Sequence, residues 1–110
     1  TSAQRARMRL SAFLRRGGKM NLYRIAQSFN NDDDTYDSAV VIAPSTEDAR
    51  LMHPKGDFCR WHVDGWYVCI GAPRYPDRTW APPEHVLVEL IGTALPDSRP
   101  EVVLASFNAG

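Results

Sequence analysis

Hydrophobic and polar residues alternate in part of this chain, with the period of two that is typical of strands. The segment 85–91 (HVLVELI) alternates in this way, and the segments 20–29 (MNLYRIAQSF) and 102–107 (VVLASF) are rich in apolar, β-branched and aromatic residues, so all three are predicted strands. Residues 38–43 (SAVVIA) are β-branched and apolar, which indicates a strand that is covered on both faces. Turn residues separate these segments, most clearly in the acidic loop NNDDDTYD at 30–37. The pattern therefore predicts a protein built mainly from strands.

One short helix is predicted in residues 45–53. Ser45 is followed three positions later by Asp48, a spacing close to that of a capping box. Acidic residues in the first turn also favour a helix start through the helix dipole. Pro54 disfavours helical geometry at the preceding residue, so we expect the helix to end at about His53.

The stretch MHPKGDFCRWHVDGWYVC, residues 52–69, contains both cysteines and two of the three histidines. The pair Asp64-Gly65 is a strong signal for a two-residue hairpin turn, and it places Val63 opposite Trp66. Because side chains alternate along a strand, one face of this hairpin is apolar and the other is mostly polar. The first face holds Cys59, Trp61, Val63, Trp66, Val68 and Ile70, and the second holds Arg60, His62, Tyr67 and Cys69.

The same pairing decides which chemistry is open to the cysteines. Cys59 and Cys69 fall on opposite faces of the predicted hairpin, so they do not form a disulfide or share a zinc ion within it. Two cysteines without a bridge are typical of a reducing cytoplasm. The sequence therefore predicts no metal and no cofactor. The alternative, a zinc site, would use His53, Cys59, His62 and Cys69.

A proline-rich segment follows the hairpin: GAPRYPDRTWAPPEHV, residues 71–86, has four prolines between positions 73 and 83. Prolines fix the backbone and remove hydrogen-bond donors, so we predict an ordered loop without a strand ladder of its own. Arginine and aromatic side chains are common anchors of protein interfaces. We therefore predict that this loop and the adjacent hairpin edge bind a partner protein, unless Trp80 belongs to the core. The binding residues would be Arg74, Tyr75, Arg78 and Trp80.

Charge divides the chain into two parts. Residues 1–19 contain six of the thirteen basic residues and none of the thirteen acidic ones, so residues 20–110 carry seven bases and thirteen acids. Such a split predicts a basic arm attached to a single domain. We expect that domain to be α+β, with a mostly antiparallel sheet of about five to six strands and one short helix on one face. No apolar run approaches the roughly 18 residues of a membrane span.

Three interpretations of the basic arm are open. Clustered cations neutralise phosphates, so the arm is a candidate for nucleic-acid binding. Its arginine-rich, acid-free composition also fits a targeting peptide. The third interpretation, which we favour, is that the domain starts at Met20 and that residues 1–19 are upstream sequence. The nucleic-acid alternative would use Arg5, Arg7, Arg9, Arg15, Arg16 and Lys19.

Motifs of several enzyme classes are absent from the sequence. It has no glycine-rich phosphate loop, no GxSxG elbow and no HExxH zinc motif. The three histidines, His53, His62 and His85, fall on three different predicted elements. The sequence therefore favours a protein that is not an enzyme, with a small enzyme or a zinc-binding protein as the alternative.

Three segments resemble small bacteriophage and prophage proteins that have no assigned function. They are MNLYRIAQSFNNDDDTYDSAVVIAPSTEDARLMHP at 20–54, WAPPEHVLVELIGTA at 80–94 and VVLASFNAG at 102–110. The resemblance implies a phage-encoded protein that acts in a bacterial cytoplasm, with Met20 as the first residue of the family. It implies no catalytic residues. We therefore expect a domain that binds a host or phage protein, and a homo-oligomer is compatible with that expectation.

Overall fold

A computed structural model describes residues 19–69 and 75–109. The elements are β1 (Asn21–Ala26), β2 (Thr35–Ala43), α1 (Thr46–Arg50), β3 (Cys59–His62), β4 (Gly65–Val68), β5 (Tyr75–Asp77), β6 (Leu87–Thr93) and β7 (Glu101–Asn108). The larger of the two sheets has the strand order β6-β1-β2-β7 and the smaller one has the order β3-β4-β5, with every pairing antiparallel. The prediction of a mostly antiparallel α+β domain with one short helix is confirmed, but the described strands are seven in two sheets instead of five to six in one.

The central strands of the larger sheet, β1 and β2, bury apolar side chains at alternate positions. Tyr23 lies opposite Val41, and Ile25 lies opposite Ala39. All four side chains are buried in a core that also contains residues of α1 and of the smaller sheet. We call the side of the larger sheet that faces this core the inner face. The core therefore lies between the two sheets and beneath α1.

The helix α1 starts as predicted and ends earlier than predicted. The Ser45 hydroxyl oxygen accepts a hydrogen bond from the backbone N–H of Asp48 at 3.2 Å, as an N-cap residue does. Ala49 packs against the sheet with no exposed surface. The last turn closes with bonds to the third preceding residue, so the helix ends at Arg50 and His53 turns into the interior. No helix in the described ranges is long and apolar enough to cross a lipid bilayer.

The hairpin of β3 and β4 has the predicted faces but not the predicted turn. Trp61 pairs with Trp66, so Val63 and Asp64 form the turn, one position before the predicted Asp64-Gly65. The two tryptophan rings then meet across the strands with centroids 5.6 Å apart, a contact that favours this register. Each residue of β3 pairs two positions away from its predicted partner, and a shift of two leaves every side chain on its predicted face. The turn leaves Val63 at a φ of 48°, which is costly for a β-branched residue.

The proline-rich segment contains a strand, contrary to the prediction of a loop without a ladder. β5 pairs with β4, with Asp77 opposite Trp66 and Tyr75 opposite Val68. Pro76 lies in the middle of β5. Proline is tolerated there because β5 is an edge strand, where one side of the backbone has no ladder to complete.

Candidate functional site

A cluster of polar side chains lies between the α1–β3 connection and β5, with His53 and Asp77 buried and Lys55 partly exposed. His53 is 1% exposed and Asp77 is 9% exposed, and His53 Nε2 lies 2.9 Å from Asp77 Oδ1. Lys55 Nζ lies 2.7 Å from the second carboxylate oxygen, Asp77 Oδ2. Cys59 Sγ lies 3.5 Å from the same Oδ2 atom. We call His53, Lys55, Cys59 and Asp77 the Asp77 cluster.

Local hydrogen bonds orient the two central members of the cluster. His53 follows α1, and its Nδ1 accepts the backbone N–H of Lys55 at 3.0 Å. Asp77 ends β5, and its Oδ1 accepts the backbone N–H of Thr79 at 2.9 Å and the Thr79 hydroxyl at 2.6 Å. Both ring nitrogens of His53 and both carboxylate oxygens of Asp77 therefore have hydrogen-bond partners, as buried polar groups require.

The tautomer of His53 follows from these bonds. Because Nδ1 accepts a backbone N–H, the ring proton is on Nε2, which donates it to Asp77. Ligand atoms of His53, Cys59 and Asp77 lie within 4.8 Å of one another, close enough to surround a metal ion. A metal on Nε2 would replace that proton and leave the ring without any N–H. The Lys55 ammonium already neutralises Asp77, so the geometry favours a hydrogen-bonded cluster over a metal centre.

The pKa shifts in the Asp77 cluster keep each of its shifted groups in its ordinary charge state at neutral pH. Burial raises the pKa of Asp77, but hydrogen bonds from His53, Lys55 and Thr79 outweigh it and hold that pKa well below its ordinary range. The hydrogen bond to Asp77, opposed by partial burial, raises the pKa of Lys55. Burial, followed by the charge of Asp77, raises the pKa of Cys59 to about 12. At neutral pH the cluster thus holds a carboxylate, an ammonium and a protonated thiol, and neither Lys55 nor Cys59 is an activated nucleophile.

The fold does not assemble the zinc alternative inferred from the sequence. His53 and Cys59 come together, but their third neighbour is Asp77. His62 lies at the opposite end of β3 from Cys59, three strand positions or about 10 Å away. Cys69 follows β4, where its backbone N–H bonds to the Phe58 carbonyl, and both cysteines are free thiols.

The residues predicted to bind a partner are separated by the fold. Trp80 is 3% exposed and belongs to the core, so it is a core residue and not an exposed anchor for a partner. Tyr75 and Arg78 are exposed, and their binding role stays a prediction. Arg74 lies outside the described residues. Of the basic-arm residues, Lys19 is described and exposed, whereas Arg5, Arg7, Arg9, Arg15 and Arg16 lie outside the described residues.

Neither Lys55 nor Asp77 is predicted as a site residue from the sequence. Asp77 meets His53 across 24 positions of the chain and meets Lys55 across 22, and no local pattern specifies either contact. One local signal was present, because Asp77 and Thr79 have the two-residue spacing of an Asx-type turn. That spacing predicts the orientation of the carboxylate but not its partners.

An open groove lies beside the Asp77 cluster. It encloses about 530 Å³ and is lined by Tyr36, Lys55, Phe58, Cys59 and Val68. Its surface is mainly apolar, and Lys55 is the charged residue among these five. Because Lys55 and Cys59 belong to both features, the Asp77 cluster forms part of the groove wall. We call this depression the aromatic groove.

Exposed aromatic side chains surround the aromatic groove. Phe58 is 59% exposed. Tyr75, which is 57% exposed, lies directly opposite Val68, so the two side chains share one face of the smaller sheet. Phe107, which is 47% exposed, contacts Tyr36 with ring centroids 4.9 Å apart. One exposed ring, Phe58, thus lines the groove, and two others, Tyr75 and Phe107, each lie next to a residue that lines it.

Fold and site together define a small α+β domain of two antiparallel sheets, with a buried hydrogen-bonded cluster beside an open aromatic groove. Comparison with models of known protein families, with curated proteins and with solved structures finds no match. The cluster and the groove are therefore interpreted from their own chemistry.

Proposed function

We propose that this chain is a non-enzymatic domain of the phage or prophage type that acts by binding a host or phage protein through the aromatic groove. The observation that carries the proposal is the exposure of Phe58 and Tyr75, 59% and 57%, beside one apolar depression. Large aromatic side chains bury much apolar area and have few rotatable bonds, so they are frequent anchors of protein interfaces.

The Asp77 cluster supports binding in preference to catalysis. Its carboxylate accepts bonds from His53, Lys55 and Thr79, so it has no remaining position from which to act as a general base. Hydrogen bonds to Asp77 also hold Lys55 and Cys59 in the groove wall. A surface that is ordered before it meets its partner loses less conformational entropy on binding.

The shape and chemistry of the groove indicate what it accepts. Small-molecule sites usually enclose most of their ligand, whereas this groove is open to solvent along one side. Tyr36, Phe58 and Val68 offer apolar contact, whereas the charge of Lys55 is already compensated by Asp77. The groove therefore suits an apolar side chain on a protein surface.

The test is capture of a binding protein from a bacterial lysate with the immobilised full chain and two double variants. The groove variant is Phe58→Ala with Tyr75→Ala. The matched control is Leu87→Ala with Leu95→Ala, which removes side chains that are 71% and 82% exposed at other places. We expect a protein that the parent and the control retain and that the groove variant retains about tenfold less.

Three results would contradict the proposal. One is equal retention of the captured protein by the parent and both variants. Another is retention that disappears after nuclease treatment, because this would indicate binding through nucleic acid. The third is the absence of any captured protein.

A further inference from the structure

Within residues 19–69 and 75–109 the two sheets have four edge strands, and three of them carry features that oppose pairing with another strand. β3 has four residues, two of which are exposed Arg60 and His62. β5 has three residues with Pro76 in the middle. β6 contains Glu89 and an irregularity in its pairing with β1. Short length, charge, proline and bulges are the usual means by which proteins protect sheet edges.

The remaining edge strand, β7, has irregular pairing as well, but its one charged residue lies at its first position, whereas Glu89 lies inside β6. β7 has eight residues (EVVLASFN), more than any other edge strand described, with no lysine, arginine, proline or glycine. β2 pairs with one side of β7 and, among residues 19–69 and 75–109, no strand pairs with the other. Val103, Leu104 and Phe107 are 50%, 59% and 47% exposed. Its pairing with β2 is irregular at Val103 and again at Asp37 of β2, which falls between the pairs Tyr36–Phe107 and Ser38–Ser106. Residues 104–108 contain no extra residue of their own.

We propose that β7 pairs antiparallel with β7 of a second copy of this chain. The two four-stranded sheets would then continue into one sheet across a two-fold axis. Two identical antiparallel strands satisfy each other's free N–H and C=O groups, and a two-fold axis makes the contact self-complementary.

The distribution of charge fits a second copy as the occupant. Glu101 is the one charged residue of β7 and lies at its N-terminal end, so antiparallel pairing keeps the two carboxylates at opposite ends. Residues 104–108 (LASFN) contain no charged side chain, so the paired segments of two copies do not repel each other. The contact uses the main chain of β7, and Phe107 is the residue of this strand that lies beside the aromatic groove. Substitutions at Leu104 and Ser106 leave Phe107 in place, so they test self-association separately from binding at the groove.

Sedimentation equilibrium of the full chain tests this proposal. The edge variant is Leu104→Lys with Ser106→Lys, which brings four cations together across the two-fold axis. The matched control is Leu87→Lys with Leu90→Lys, the same charge added at the opposite edge, where both leucines are exposed. We expect a parent mass of twice the 12.4 kDa chain. The dimer Kd should rise at least about tenfold in the edge variant and stay within about twofold of the parent in the control.

Two outcomes of sedimentation would overturn the proposal. The first is a parent that stays monomeric at about 100 μM, because pairing would then be too weak to matter. The second is a dimer that the β6 substitutions weaken as much as the β7 substitutions do. Circular dichroism of both variants shows whether they fold.

Hydrogen exchange of the unmodified protein gives a readout that needs no variant. Amides in residues 104–108 should become more protected as the protein concentration rises, because a second copy covers them. Amides of β6 should exchange at the same rate at every concentration. Exchange in β7 that is independent of concentration would refute the dimer.

Discussion

The Asp77 cluster and the outer face of the larger sheet depart from the usual distribution of polar and apolar residues in opposite directions. The outer face is the side turned away from α1 and the smaller sheet, and it includes Leu22, Leu87 and Leu104. The cluster buries a carboxylate and an imidazole, whereas the outer face leaves Leu87 71% exposed and Leu104 59% exposed. Buried polar groups and exposed apolar groups are the two informative departures in a folded protein.

The difference between the two regions is whether the fold compensates for the departure. In the Asp77 cluster every polar group has a partner, so the cluster is explained as part of the scaffold. Among the described residues, α1 and the smaller sheet both pack on the inner face, and neither covers the leucines of the outer face. We therefore expect substitutions in the cluster to change the stability of the domain, and substitutions on the outer face to leave it almost unchanged.

The largest effect is expected from Asp77→Ala. The substitution leaves the His53 N–H buried without an acceptor and removes the partner of Lys55, so we expect a loss of about 3–5 kcal/mol in the free energy of unfolding. Urea denaturation monitored by tryptophan fluorescence measures it. Leu87→Ala is the control, with an expected change of at most about 0.5 kcal/mol. If Asp77→Ala costs less than about 1 kcal/mol, the cluster does not stabilise the fold.

Acid should weaken the domain through the same carboxylate. The folded-state pKa of Asp77 lies below its ordinary value of about 3.9, so the ionised group contributes stability above that value and loses it as the pH falls toward the folded pKa. We expect the free energy of unfolding of the parent to fall more steeply below about pH 5 than that of Asp77→Asn. A series of urea titrations between about pH 6 and pH 2 compares the two slopes. Equal slopes would show that Asp77 titrates normally.

The two regions also differ in how far the sequence predicted them. Local signals were sufficient for the Ser45 cap, for the faces of the β3–β4 hairpin and for β7, which was predicted at 102–107. They were insufficient where a contact between distant residues decides the structure. The Trp61–Trp66 contact moved the hairpin turn, and pairing with β4 made a strand of Tyr75–Asp77. The Asp77 cluster joins residues 22 and 24 positions apart, so its chemistry depends on a fold that the local pattern did not specify.

The smallest effect is expected at the outer face, from Leu87→Gln. Leu87 is already 71% exposed in the folded chain, so unfolding exposes little more of its apolar surface to water. A polar replacement should therefore change the free energy of unfolding by less than about 0.5 kcal/mol. Val86, the preceding residue, is 1% exposed on the inner side, and Val86→Ala should cost about 2 kcal/mol as the matched buried control. Thermal and urea unfolding of dilute protein measure both. A loss of about 2 kcal/mol from Leu87→Gln would mean that another part of the folded chain covers this leucine, and the contrast between the two regions would then disappear.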